Sequence, residues 1–288
     1  MFFFTKLRRF ILFPVILLTL LTTPKPADTE TAVFLDQTAF VMAEALAMGQ
    51  GITTDGTHFY TAGAATGLRV TYLGKIDIAS MTMTGKRLNP LPDVCSARGN
   101  DHIGGISFYN GKIYACVEGG DVCRACIVVF DPETLKPTGD VFDLPNEDFT
   151  DGIPWLAVDP DTGFLYTSGW SHADTVYVFD TNDGMRSVRS FHPVGIGELD
   201  RIQGGEFYGG TLYLSQDSRD NGTRKRLLRL DTETGELTAA GERDVNGGKI
   251  EAEDLTFLVR NGIPSLYVLD YNKAVGIFLR EYAVAGLQ

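Results

Sequence analysis

One tyrosine keeps returning. Five short apolar segments, each entered through a turn, carry Tyr near their centre: Tyr60, Tyr114, Tyr166, Tyr213 and Tyr267, at spacings of 54, 52, 47 and 54 residues. A second motif, an apolar residue followed by Asp, falls between them at Asp77, Asp131, Asp180 and Asp231, at spacings of 54, 49 and 51. Two unrelated motifs on one period of about 52 residues mark a repeat architecture. Each period holds β-branched and aromatic runs bounded by Gly, Asn and Asp, and no amphipathic helix, so the unit is a set of short strands. Turn chemistry follows the Asp motif, as in Pro132-Glu133-Thr134 and Thr232-Glu233-Thr234-Gly235. Four strands per period is the grammar of a β-propeller blade, which a sandwich would not repeat so regularly.

Blade number follows from length. Beyond residue 27 the chain has 261 residues, about five periods. The last repeat supplies three strands, ending in a run over residues 275–279. Its fourth strand is expected from residues 32–42, which would close the ring and remove the exposed edges that invite aggregation. The expected fold is an all-β propeller of five blades, with six as the alternative, forming one domain over residues 28–288.

Residues 1–27 stand apart. Lys6, Arg8 and Arg9 precede an apolar run over residues 10–21, and Thr22-Thr23-Pro24-Lys25-Pro26-Ala27 follows. This reads as a secretory signal, the run being short for a membrane span. Lys25 spoils the cleavage site, so an uncleaved anchor is the alternative, and only that would tie the protein to a membrane. A secreted or extracytoplasmic monomer is expected. The segment holds four of the 25 basic residues and no acid, leaving 21 basic against 37 acidic groups. A surface so acidic repels phosphate backbones, which argues against nucleic-acid binding. Export also colours the cysteines: Cys95, Cys116, Cys123 and Cys126 sit within 32 residues. With no second ligand pair for zinc and no redox context for Cys123-x-x-Cys126, two structural disulfides are expected, their pairing open. Arg224-Lys225-Arg226 reads as a solvated strand edge.

The strand pairs Gly51-Ile52-Thr53-Thr54-Asp55-Gly56 and Leu156-Ala157-Val158-Asp159-Pro160-Asp161-Thr162-Gly163-Phe164-Leu165-Tyr166, with the Val-Phe-Asp motifs, resemble the NHL/SMP-30/paraoxonase-like propellers. The segment Glu251-Ala252-Glu253-Asp254-Leu255-Thr256-Phe257 resembles a motif of phytase-like esterase propellers. The resemblance implies calcium in the central channel and hydrolysis of a lactone or phosphoester.

In a propeller the loops joining one blade to the next and the loops between the second and third strands share one face. Aligning the repeats puts Gln50, Gly104, Pro154, Gln203 and Glu253 at one level of the channel. Strand alternation puts His102, Gly152, Arg201 and Glu251 on the same side, two residues earlier. Converging oxygens suit Ca²⁺, which takes six to eight of them. The candidate ligands are Glu253, Glu251, Asp151, Gln50 and Gln203. His102, beside Asp101, is the candidate general base, and Trp170, His172 and Arg201 are candidates for the substrate wall. The chain lacks Gly-x-Ser-x-Gly, P-loop and His-Glu-x-x-His signatures. The expected function is therefore an exported, calcium-dependent hydrolase of an ester, lactone or phosphoester acting on a small molecule. The alternative is a non-catalytic propeller that binds an extracellular protein or carbohydrate through its loop face.

Overall fold

A computed structural model describes residues 32–39, 49–65, 68–119, 124–171, 173–195, 199–217, 224–244, 250–272 and 276–284. The leader segment, Cys123 and His172 lie outside them. The first strand, β1 (Ala32–Ala39), is followed by blade 1, made of β2 (Gly51–Thr54), β3 (His58–Ala65), β4 (Val70–Asp77) and β5 (Thr82–Leu88). A short helix α1 (Asp93–Ala97) leads into blade 2: β6 (His102–Tyr109), β7 (Lys112–Glu118), β8 (Cys126–Phe130) and β9 (Pro137–Asp143). Blade 3 is β10 (Leu156–Val158), β11 (Phe164–Thr167), β12 (Val176–Asp180) and β13 (Arg186–Phe191). In blade 4 a two-residue strand β14 (Val194–Gly195) lies outside β15 (Ile202–Tyr208), β16 (Thr211–Gln216), β17 (Arg224–Leu230) and β18 (Glu236–Asp244). Blade 5 is β19 (Glu251–Arg260), β20 (Ile263–Asn272), β21 (Gly276–Val284) and, from the other end of the chain, β1.

Five blades are present, and the closure is the expected one. β1 runs antiparallel to β21, from Ala32 opposite Val284 to Ala39 opposite Phe278. Both chain ends thus sit in one sheet, and the pairing consumes the hydrogen-bonding edge that β21 would otherwise present.

The core is five wedges, one in each gap between blades. Strands of the inner sheet are buried on both faces, as in the unbroken burial of β8, because a blade lies on either side. The outermost β5 alternates between exposed and half-buried, as a rim strand should. The recurring tyrosine explains itself here. Tyr60 packs into the blade 1–2 wedge, Tyr114 into 2–3, Tyr166 into 3–4, Tyr213 into 4–5 and Tyr267 into 5–1, so each faces the following blade. Aromatic partners wait there: Phe108 for Tyr60 at 5.9 Å, Phe207 for Tyr166 at 5.2 Å and Phe257 for Tyr213 at 5.0 Å. The recurring Asp builds turns instead. Asp77, Asp131, Asp180 and Asp231 each accept a backbone N–H two or three residues on, which fixes the tight link to the outermost strand.

Candidate functional site at the channel mouth

The channel axis is filled by one carboxylate. Asp254 Oδ2 accepts the amides of Ile52 (3.0 Å) and Ile106 (3.1 Å), and Oδ1 accepts those of Gly205 (3.2 Å) and Leu255 (2.9 Å). Four blades donate to a single fully buried side chain. Two glycines make the room. A Cβ at Gly204 would collide with the Asp254 carboxylate, and one at Gly205 would come within 2.8 Å of the Trp155 ring, which brings blade 3 to the same point. Burial pushes the Asp254 carboxyl upward while the amide donors oppose that push. Beneath it a ring of equivalent positions holds Thr53, Ser107, Ala157, Glu206 and Thr256, each opposite the repeat tyrosine of its own blade. Glu206 stands half-buried in this ring, accepting the Phe207 amide at 3.1 Å and meeting the Thr53 and Thr256 hydroxyls at 3.5 and 3.4 Å, and desolvation raises its pKa to about 8.

Above Asp254 the channel opens to the loop face. Glu253 is 2% exposed, and burial raises its carboxyl well above the ordinary range, with Glu251, Asp217, Asp270 and Asp254 adding repulsion. Among the described residues no hydrogen bond or ion pair holds it, so the neutral acid is the form this pocket favours. Beside it Gln50 carries a buried Oε1 with no partner, while its carbonyl accepts the Asp254 amide at 3.1 Å.

Arg201 dominates the adjoining wall, at the start of blade 4. Its backbone is left-handed at φ +55°, a strained conformation for a non-glycine residue. The strain is held by Arg201 N bonding to Trp170 O at 2.9 Å and by Asp217 N bonding to Arg201 O at 3.0 Å. The guanidinium lies 4.6 Å over the Trp170 ring, donates to Asp217 Oδ2 at 2.6 Å and approaches Glu251 Oε1 at 3.9 Å. Asp217 is buried and also accepts Lys225 and the Ala252 amide. Lys225 therefore overturns its reading as a solvated edge: it is fully buried, because Asp217 gives its ammonium a counter-charge inside the blade. Asp270 does the same for Arg243 and Arg280.

The pairing of His102 is not the one expected. His102 and Glu118 stand opposite each other in the hairpin of blade 2, with Nδ1 3.1 Å from Glu118 Oε1, while Glu118 Oε2 accepts the Ile153 amide. Asp101 points elsewhere and lines a separate cleft, because neighbouring residues of a strand face opposite sides. The acid beside the histidine is thus Glu118.

The five expected calcium ligands do not converge. Asp151 is turned outward onto the Trp170–Ser171 loop, accepting Trp170 N (3.2 Å), Ser171 N (2.8 Å) and Ser171 Oγ (2.6 Å). Glu251 faces Gln203 Nε2 at 3.5 Å and Arg201. Glu253 and Gln50 remain, two donors against the six to eight that calcium takes, and a guanidinium shares the mouth. Among the described residues no three His, Cys, Asp or Glu side chains gather as a metal centre. The donor set does not fit a resident calcium ion.

The described cysteines are thiols. Cys95 and Cys126 face each other with Sγ atoms 3.8 Å apart, whereas Cys116 is buried in the next wedge, on the other face of blade 2.

No known protein family and no characterised protein matches the sequence. Solved structures match the fold. The chain is similar to RS223-Beta-xylosidase, with a TM-score of 0.52 at 13% identity over 83% of this chain and 92% of that one. It is similar to the GH43_1 enzyme from Xanthomonas citri complexed with xylose, at TM-score 0.55 and 15% identity over 89% and 90% of the two chains. It is equally similar to the tail fiber of Staphylococcus aureus phage P68, at TM-score 0.55 and 15% identity over 88% of this chain and 52% of that one. Identities this low speak for the propeller architecture alone.

Proposed function

We propose that the channel mouth is a hydrolytic site for a glycoside-type substrate, with Glu253 as proton donor. The carrying observation is Glu253 itself, a carboxyl 2% exposed and, among the described residues, without a partner, at a level where the other blades place Gln50, Gly104, Pro154 and Gln203. Burial without a counter-charge keeps it protonated, the state a general acid needs. Trp170, backed by Arg201, offers a flat apolar face to a sugar ring. His102, beside Glu118, takes a proton from water as that water attacks the anomeric carbon. The bond to the leaving oxygen breaks and Glu253 supplies its proton, so one proton enters and one leaves the protein per turnover. The fold shared with a β-xylosidase supports a saccharide over the ester, lactone or phosphoester expected from the sequence.

The purified full-length chain should be assayed on aryl glycosides and aryl esters, with and without chelator. Glycoside turnover is expected to ignore the chelator, to fall as pH rises through the raised pKa of Glu253, and to drop at least ~100-fold in Glu253→Gln. Absence of glycoside turnover, or an unaffected Glu253→Gln, overturns the reading. Ester turnover abolished by chelator would restore the calcium-dependent alternative. The rigid Trp170–Arg201 stack favours one further reading, glycan binding without chemistry, in which Trp170→Ala abolishes binding and no glycoside is cleaved.

A further inference from the structure

A second concavity opens on the same loop face, between blades 1 and 2. It measures about 910 Å³ and has three arginines on its walls: Arg69, Arg98 and Arg124. The concentration is out of keeping with the chain, whose acidic residues outnumber the basic by 37 to 25. Arg98 is committed, since it pairs with Asp143 across the rim. Arg69 and Arg124 are exposed, and among the described residues neither forms an ion pair. Arg69 is held at φ +53°, a left-handed backbone that a non-glycine residue adopts at a cost. Between the arginines lies Asn100, 4% exposed, whose Nδ2 donates to Arg124 O at 3.0 Å while its Oδ1 is buried with no partner. That amide fixes the backbone of Arg124 and leaves an acceptor for a hydroxyl. Asn89 is anchored by exchanging bonds with Thr71, and Leu91 supplies an apolar strip.

We infer that this cleft binds the carboxylate-bearing sugar of an acidic oligosaccharide. A planar guanidinium matches a carboxylate in fork geometry, and two of them with no ion pair among the described residues suit a ligand that presents one or two of its carboxylates to the cleft. A long polyanion is disfavoured by the acidic remainder of the surface. The volume accommodates a short saccharide, with the orphaned amide oxygen and the Asp101 carboxylate as hydroxyl acceptors. Asp101 directly precedes His102 of the channel mouth, so one chain could span both places. The sugar portion of the inference rests on the glycoside reading above; the anionic portion rests on the cleft alone.

The test is calorimetric titration of the full-length protein at low salt with trigalacturonate, with neutral xylotriose and with inorganic sulfate. Trigalacturonate is expected to bind, and Arg69→Ala/Arg124→Ala to weaken it at least ten-fold, with the melting temperature unchanged because both side chains are exposed. Raising salt should weaken it as well. Xylotriose binding should ignore the double substitution and be lost in Trp170→Ala. Trigalacturonate affinity unmoved by the arginine substitutions overturns the inference. So does sulfate binding as tightly as trigalacturonate, which would make the cleft a site for simple anions. Glu253→Gln separates the two proposals, since it should abolish glycoside cleavage and leave trigalacturonate affinity intact.

Discussion

Asp254 does for the axis what a hub does for spokes. Its two oxygens saturate four amide donors from β2, β6, β15 and β19. In Asp254→Asn one oxygen becomes an NH2 group, and two of those amides face a donor. An unsatisfied buried donor costs about 1–3 kcal/mol, so a loss of at least ~2 kcal/mol is expected in urea denaturation at pH 7. A change below ~0.5 kcal/mol would refute the hub. Glu206, on the ring beneath Asp254, makes a pH prediction. Its folded pKa of about 8 exceeds the ordinary 4.5, so the folded state binds the proton more tightly. Its contribution to stability is complete below pH 4.5 and is lost as pH rises toward 8. Glu206→Gln should therefore melt close to the parent at pH 5 and several degrees, roughly 5 °C, above it at pH 9. Equal shifts at both pH values would count against a Glu206 that is protonated in the folded state. Asp254 was legible only in part. The glycines at its level, Gly51, Gly105 and Gly204, say that something must fill the space, but amide donors leave no trace in a sequence.

Among the elements, the inner strands account for what the sequence reading missed. Alternation would set Glu251 and Glu253 alike, two residues apart on one strand. The ladder of β19 instead slips between Ala252 and Leu255, β6 slips between Ile103 and Ile106, and β15 between Ile202 and Gly204. Such bulges re-aim side chains at a barrel or channel rim, leaving Glu251 about one-third exposed while Glu253 is buried. The Glu118 partner of His102 was hidden by the same device. Asn110 and Gly111, both at positive φ, form a two-residue turn from which regular counting sets His102 opposite Gly119, and the slip between Ile103 and Ile106 brings it opposite Glu118 instead. Strand β1 yields the prediction of this scale. Deleting residues 28–45 removes no candidate site residue but strips β21 of its partner. Soluble monomer should be lost on size-exclusion chromatography. A monomeric truncation melting at the parent temperature would show that β1 is dispensable.

At the scale of the whole molecule, division by the period was enough for the blade number, because each blade must bury both faces against neighbours of like size. Chemistry was less legible, since the mouth is built from five separate stretches whose approach no spacing encodes. The ring closure also fixes an order of events in the cell. Ala39 leaves the ribosome roughly 240 residues before Phe278, the residue it will face. At about 5–20 residues per second, that is an interval on the order of ten to fifty seconds. Throughout it, four blades can dock while the opening strand has no edge to join. In a crowd of nascent copies the edge it meets first can belong to another chain, and the product would be an exchanged dimer whose two rings are each sealed by the other's first strand.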